Sequence, residues 1–215
     1  MFERVSHGFA ACLKFCSSRS LLSSTTGYAQ TTFRRCYSVP VMNVFDRKTK
    51  IQQRDQIAYD KDYQKYQYIK EEIGFRVFDR LCDIKRTFET AVDLGCGLGH
   101  VTKHVEAMQQ LVTDRIYMID GSAAMLEKAE TSSDVPCTRV HCDEEALDEL
   151  PFQMESIDVV YSSLSLHWVN DLPGLFRRVM MMLKKDGAFL GSLFGTDTLY
   201  ELRVSLQLAE QEIKG

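Results

Sequence analysis

The sequence predicts an α/β fold, a three-layer sandwich on a mostly parallel sheet. Three observations predict it. From residue 90 onward, short apolar runs alternate with amphipathic stretches of helical period. The runs are apolar almost throughout, as strands covered on both faces must be. A glycine-rich turn sits where the first run meets the first helical stretch, the Rossmann-like place for a ligand.

The expected strands are Ala91–Leu94, Ile116–Ile119, Thr138–His141, Ile157–Leu164 and Ala188–Phe194, with helices near 100–110, 122–130, 172–185 and 198–213. Asp171-Leu172-Pro173 marks a helix start, because proline suits the first turn. Lys184, Lys185 and Gly187 read as the end of that helix, basic side chains and a left-handed stop. Thr198-x-x-Glu201 reads as a capping box for the last helix, whose stripe of Leu199, Leu202, Leu206, Ala209 and Ile213 is expected to face a core.

Three regions are expected: 1–37, 38–88 and 89–215. Residues 1–37 carry five basic residues against one acid and are rich in Ser and Thr, the composition of a mitochondrial transit peptide. Val5, Phe9, Leu13 and Phe15 would line one face of a short basic helix. Arg35-Cys36-Tyr37-Ser38 resembles a processing site with cleavage after Tyr37. The second region is helical, with a stripe of Ile69, Ile73, Val77 and Leu81 to pack on a sheet, and tyrosines at 59, 63, 66 and 68. These tyrosines read either as packing or as a lid over a ligand. Residues 38–215 hold 21 basic and 29 acidic residues, a net charge of −8, which argues against nucleic acid as a partner. No run reaches the roughly 18 apolar residues of a membrane span. Cys82, Cys96, Cys137 and Cys142 form no CxxC pair, which argues against a disulfide framework or structural zinc.

The chemistry concentrates at strand ends. Asp93-Leu94-Gly95-Cys96-Gly97-Leu98-Gly99 lacks the Gly-Lys-Ser/Thr of a phosphate-binding loop, and His100 stands where a dinucleotide fingerprint has Gly or Ala. Asp93 beside the turn would repel a pyrophosphate and attract an ammonium or sulfonium group. Asp120 ends the second strand, where an acid accepts hydrogen bonds from ribose hydroxyls. Asp143 ends the third, where it can accept from an adenine amino group. Ser122 is expected to cap the next helix, and Met125 or Leu126 would cover the adenine face. S-adenosylmethionine carries both cations and no phosphate. The cofactor-binding set is Asp93, Gly95, Cys96, Gly97, Gly99, Asp120, Ser122, Met125, Asp143 and Ser162.

Val92–Gly99, Leu150-Pro151-Phe152 and Ile157-Asp158-Val159-Val160 resemble the small-molecule branch of the class I adenosylmethionine-dependent methyltransferases. Ser162–Pro173 and Phe194–Arg203, with Met42–Arg47 as a mature start, resemble the complex I assembly factors of the arginine-hydroxylase type, over roughly 42–215. A more distant similarity is to the bacterial malonyl-carrier-protein methyltransferases. The resemblance implies a matrix protein, peripheral to the inner membrane, that meets early complex I intermediates and hydroxylates an arginine of an iron–sulfur subunit. Methyl transfer and non-catalytic scaffolding stay open beside it. Asp93, Gly95, Gly97, Asp120 and Asp143 match the family's cofactor motifs.

Hydroxylation finds no support in the residues themselves. His141, Asp143 and His167 nominally spell a two-histidine, one-carboxylate iron set, but Asp143 is already assigned to the adenine edge, and no metal is expected. Candidates for contact with a substrate are His167, Trp168, Ser163, Tyr200 and Glu201. The family's fold has seven strands, the last two a hairpin. Five are legible here, so the chain reads as a C-terminally shortened form, or one whose gap a partner fills, with an open, apolar edge.

Overall fold

A computed structural model describes residues 43–106, 113–150 and 152–214, together with an isolated segment, 11–16. In chain order the elements are β1 (Ala11–Cys16), α1 (Arg47–Ala58), α2 (Tyr68–Cys82), β2 (Phe88–Leu94), β3 (Thr113–Asp120), α3 (Ala123–Lys128), β4 (Cys137–His141), β5 (Ile157–Ser163), α4 (Leu172–Met182), β6 (Leu183–Leu193) and α5 (Tyr200–Lys214). The sheet order is β1-β6-β5-β2-β3-β4. Five strands run parallel, and β1 lies antiparallel on the β6 edge with Ala11 opposite Leu193 and Cys16 opposite Ala188.

Each of the five expected strands is present, most of them longer than the apolar runs that announced them. Alternation along them feeds two cores. Ala91, Met118, Val159 and Tyr161 face α2, whose Ile73, Val77, Phe78 and Leu81 are buried against them. Val92, Ile119, Val160 and Phe189 face the other way, onto Leu175 and Val179 of α4. Each fully buried side chain such as Phe78 or Leu81 contributes about 1.5–3 kcal/mol. The α2 stripe forms as expected except at Ile69, which is 36% exposed.

Several expectations need correction. Leu13 and Phe15 lie in a strand rather than a basic helix; Val5, Phe9 and the cleavage site after Tyr37 are outside the described residues. The β6 edge is therefore covered, because unpaired strand groups there accept the extended segment Ala11–Cys16. The helix near 100–110 appears only as a 3-10 stretch, Thr102–Glu106, with 107–112 outside the described residues. α4 starts as expected, capped by Asp171 and with proline in its first turn, but it ends at Met182. Lys184 and Gly187 belong to β6, and the left-handed residue is Asp186, at φ 66°. The reason is register: between Ile157↔Leu183 and Val159↔Ala188, β6 advances five residues against two on β5, so it bulges there. Lys184 turns to Asp158, 3.0 Å away, and to Glu89 at 2.5 Å.

α5 is corrected too. No residue in it is buried, so its apolar stripe faces no core. Its capping box does not form: Leu199 is left-handed at φ 55°, and the Thr198 hydroxyl has no partner.

Candidate functional site

The tips of β2, β3 and β4 meet under α1. Leaving β2, the chain turns through three left-handed glycines, Gly95 (φ 71°), Gly97 (φ 57°) and Gly99 (φ 81°). The turn is tied to β3: the amides of Gly95 and Cys96 donate to the Ile119 carbonyl at 2.8 and 3.0 Å. A Cβ on Gly95 would lie 2.1 Å from Ser165 Oγ, so only glycine fits there. Gly97 differs. Among the described residues, the only heavy atom a Cβ there would approach is Nη2 of Arg54, at 3.7 Å, so this face of the turn is open toward α1.

Asp93 is buried. Its Oδ2 accepts from Thr102 Oγ1 at 2.7 Å, and that hydroxyl lies 3.1 Å from the Tyr161 hydroxyl. Burial pushes its carboxyl up to about 7; Asp120 adds to the rise and the Thr102 bond opposes it. Asp120 is fully buried, and its carboxylate takes three donors. Oδ1 accepts the Ser122 amide at 2.8 Å, and Oδ2 accepts the Gly97 amide at 2.8 Å and Arg54 Nη2 at 2.6 Å.

Ser122 caps α3 as expected, accepting from the Met125 amide at 3.2 Å, and its hydroxyl donates to Asp55 of α1 at 2.5 Å. Met125 is buried with Ala58, Tyr63 and Ala124 between α1 and α3. Asp143 takes a fork from Arg47 and also caps a 3-10 turn by accepting the Glu145 amide at 2.8 Å.

Beside it, Glu144 is buried. It accepts from Ser165 Oγ at 3.1 Å, pairs closely with Arg47, and lies 3.6 Å from Arg54 Nη1. Burial, reinforced by Asp120, raises its carboxyl, and the two arginines oppose the rise.

The remaining expected residues divide. Cys96 is buried in the turn, its thiol pushed well up by burial and by Asp93 and Asp120. Ser162 is buried, and its hydroxyl donates to the Leu94 carbonyl at 2.6 Å, so it braces β5 against β2. Trp168 is a half-exposed wall, with Lys50 Nζ 3.7 Å above its ring. His167 packs between Trp168 and Phe194; burial, with Lys70 and Lys50, lowers it to about 4, so it is neutral at ordinary pH. Ser163 faces Ser192, at 3.4 Å. Tyr200 and Glu201 sit on exposed α5, and no described contact joins them to the strand tips. The nominal iron set does not converge: His141 is bonded to the Gly121 carbonyl at 3.0 Å, Asp143 holds Arg47, and His167 is packed in its aromatic cluster. Among the described residues, no group of three or more His, Cys, Asp or Glu is placed to hold a metal.

A family model described as a methyltransferase domain matches residues 92–191. The chain is 46% identical over 184 residues to the zebrafish (Danio rerio) mitochondrial arginine-hydroxylase NDUFAF5, across 86% of this chain and 55% of that protein. It is 30% identical over 154 residues to the malonyl-[acyl-carrier protein] O-methyltransferase of Bacillus cereus, across 70% of this chain and 55% of that one. Residues 92–191 are a methyltransferase domain, on the class I adenosylmethionine-dependent fold. The fold agrees: the methyltransferase solved with the Trm112 activator of Haloferax volcanii superposes with a TM-score of 0.53 at 23% identity, over 64% of this chain and 58% of that one. The chain spans about half the length of the curated relatives it matches.

Within this methyltransferase core, sequence reasoning found the carboxylates but missed what holds them. Arg47, Arg54 and Asp55 of α1 were read only as part of a helical region. Their spacing carried the signal: positions 47, 51, 54, 55 and 58 share one helical face, and that face mixes cations with Ile51 and Ala58. Asp55 accepts both the Ser122 hydroxyl and the Ala124 amide, docking α1 on the start of α3. Of the tyrosines, Tyr59, Tyr66 and Tyr68 are exposed and Tyr63 is buried, and Tyr63 and Tyr66 line a cavity beside Arg54.

Proposed function

We infer that this chain is the cofactor-binding part of a mitochondrial complex I assembly factor that binds S-adenosylmethionine and acts on an arginine of an iron–sulfur subunit. One observation carries the cofactor: Asp93, Asp120 and Asp143 stand at three successive strand tips around a turn of left-handed glycines. Asp120 would accept from the ribose hydroxyls, Asp143 from the adenine amino group, and Asp93 would balance the ligand's cationic end. The open face of Gly97 lets the ligand approach the backbone. Bound there, adenosylmethionine supplies an electrophilic methyl group on a sulfonium. What the chain's residues contribute is orientation and a dry enclosure, with α1 as cover.

The arginine-hydroxylase assignment rests on the 46% identity to the zebrafish protein and on the name that protein carries. A basic, Ser/Thr-rich leader supports a mitochondrial address, as do the relatives' names, and the matrix face of the inner membrane is the proposed place of action. Among the described residues, no helix is long and apolar enough to cross a membrane.

Mass spectrometry of the subunit arginine in cells carrying Asp93→Asn tests the reading. Loss of a +16 Da mark supports hydroxylation, and loss of +14 Da points to methyl transfer. An unchanged mark would leave a scaffold and reject the enzymatic assignment.

A further inference from the structure

Arg54 stands inside the site. Its guanidinium lies over the glycine turn, 3.7 Å from where a Gly97 Cβ would be, and bonds Asp120 Oδ2 at 2.6 Å. Its side chain is only 26% exposed. We propose that Arg54 is a cofactor-binding residue: it neutralises Asp120 while the site is empty and pairs with the amino-acid carboxylate of the adenosyl ligand when the site fills. This rests on the adenosylmethionine reading above and adds to it a residue and a role.

Hydrogen-bond capacity is the first argument. Of the three donors on Asp120, two are backbone amides, Gly97 in the turn and Ser122 at the α3 cap, and both are held by local structure. Arg54 is the one donor on a flexible stem. Ribose hydroxyls that take up acceptor sites on Asp120 must displace it.

Charge is the second argument. A displaced, half-buried guanidinium needs an anion, because an unpaired charge removed from water is costly. Glu144 is already shared with Arg47. On the other side lies a cavity of about 330 Å³, and no carboxylate lines it. Its walls include Arg47, Lys50, Arg54 and Lys70, with Tyr63 and Trp168. Among the described residues Lys50 and Lys70 make no carboxylate pair; Lys50 lies over Trp168, and Lys70 reaches the Tyr63 hydroxyl at 3.4 Å. So beyond Glu144, which it shares with Arg47, the protein offers Arg54 no second carboxylate, and the surroundings into which it would swing are positive. The ligand brings its own anion: the α-carboxylate at the end opposite the adenine. The exchange is balanced, with ribose hydroxyls replacing Arg54 on Asp120 and the carboxylate replacing Asp120 on Arg54.

Isothermal titration of the 215-residue chain with two ligands tests this. S-adenosylhomocysteine has the carboxylate, and its decarboxylated analogue keeps the adenosine, sulfur and amine but lacks it. We expect the unsubstituted protein to prefer the first by tenfold or more. Arg54→Gln should weaken S-adenosylhomocysteine by a similar factor and leave the decarboxylated analogue unchanged or tighter, so that the preference vanishes. Arg54→Lys should keep part of it. Equal weakening of both ligands, tightening of both, or a preference under twofold in the unsubstituted protein overturns the proposal. That last criterion holds even if Arg54→Gln fails to fold. If the unsubstituted protein binds neither ligand, the cofactor reading itself fails, a different outcome from any of these.

Discussion

Arg47 grips Asp143 across 96 residues of sequence: Nη2 donates to Oδ1 at 2.7 Å and Nε to Oδ2 at 3.2 Å, while Nη1 reaches the Trp168 carbonyl at 3.2 Å. This fork, backed by the close contact with Glu144, fastens the start of α1 to the tip of β4.

Arg47→Gln should therefore loosen α1. Glu144 is buried and loses a principal counter-ion, so the expected loss is about 1.5–3 kcal/mol, the range for hydrogen bonds to charged groups. Urea unfolding measures the loss. Hydrogen exchange should show the amides of 47–58 opening while β2 and β5 keep their protection. Unchanged protection in α1 would count against the strap.

Asp93 makes stability depend on pH in a predictable direction. Its carboxyl is raised to about 7 in the folded chain against an ordinary 3.8, because burial disfavours the charge. The folded state therefore holds the proton more tightly than the unfolded one. Stability is fully present below pH ~4 and declines as pH rises to ~7, by roughly 4 kcal/mol at most. Asp93→Asn should flatten that slope and raise the denaturation midpoint at pH 8. Affinity for a cationic adenosyl ligand should move the opposite way, strengthening in the unsubstituted protein as pH rises through 7.

The glycines of the turn should not respond alike. Gly95→Ala meets Ser165 Oγ at 2.1 Å as well as the left-handed backbone, and we expect loss of ligand binding with several kcal/mol of destabilisation. Gly97→Ala has room at its Cβ and should cost only the backbone strain, about 1–2 kcal/mol. Thermal unfolding of the two variants side by side decides the point; equal losses would contradict the geometry.

Two surfaces should govern self-association. Leu202, Leu206 and Ile213 stand exposed along α5. Leu202→Glu with Leu206→Glu should reduce aggregation in sedimentation while changing unfolding free energy by less than about 0.5 kcal/mol. Deleting residues 1–37 removes β1 and frees the backbone groups of the β6 edge, so the shorter chain should associate more than the full one.

Most of the parallel strands were legible because a strand covered on both faces must be largely apolar, as Ile116–Ile119 and Ile157–Leu164 are; β4, with no buried residue, gave a weaker signal. The strand-tip carboxylates were legible for a related reason: a glycine turn after a strand admits few ligand classes, and Asp93 beside it selects among them. Less was legible where a side chain's role depends on something far away in sequence. Glu144 reads as one more acid after Asp143, yet it is the buried one, because Ser165 and two arginines surround it. The end of α4 was misplaced because Lys184 and Gly187 fit a helix stop locally, whereas pairing with β5 draws them into a bulged strand. The α5 stripe was read as core-facing because periodicity shows which face is apolar and says nothing of what covers it.

The sequence by itself determined the alternation of strand and helix, the glycine turn and the acids at the tips, since local backbone chemistry and hydrophobic period settle those within a few residues. Only the tertiary structure decided that α1 lies across those tips and that Arg54 and Arg47 answer Asp120, Asp143 and Glu144, or that residues 11–16 pair with β6. Such pairings are chosen when burial removes water from charges and edges and leaves them the partners that the fold brings near.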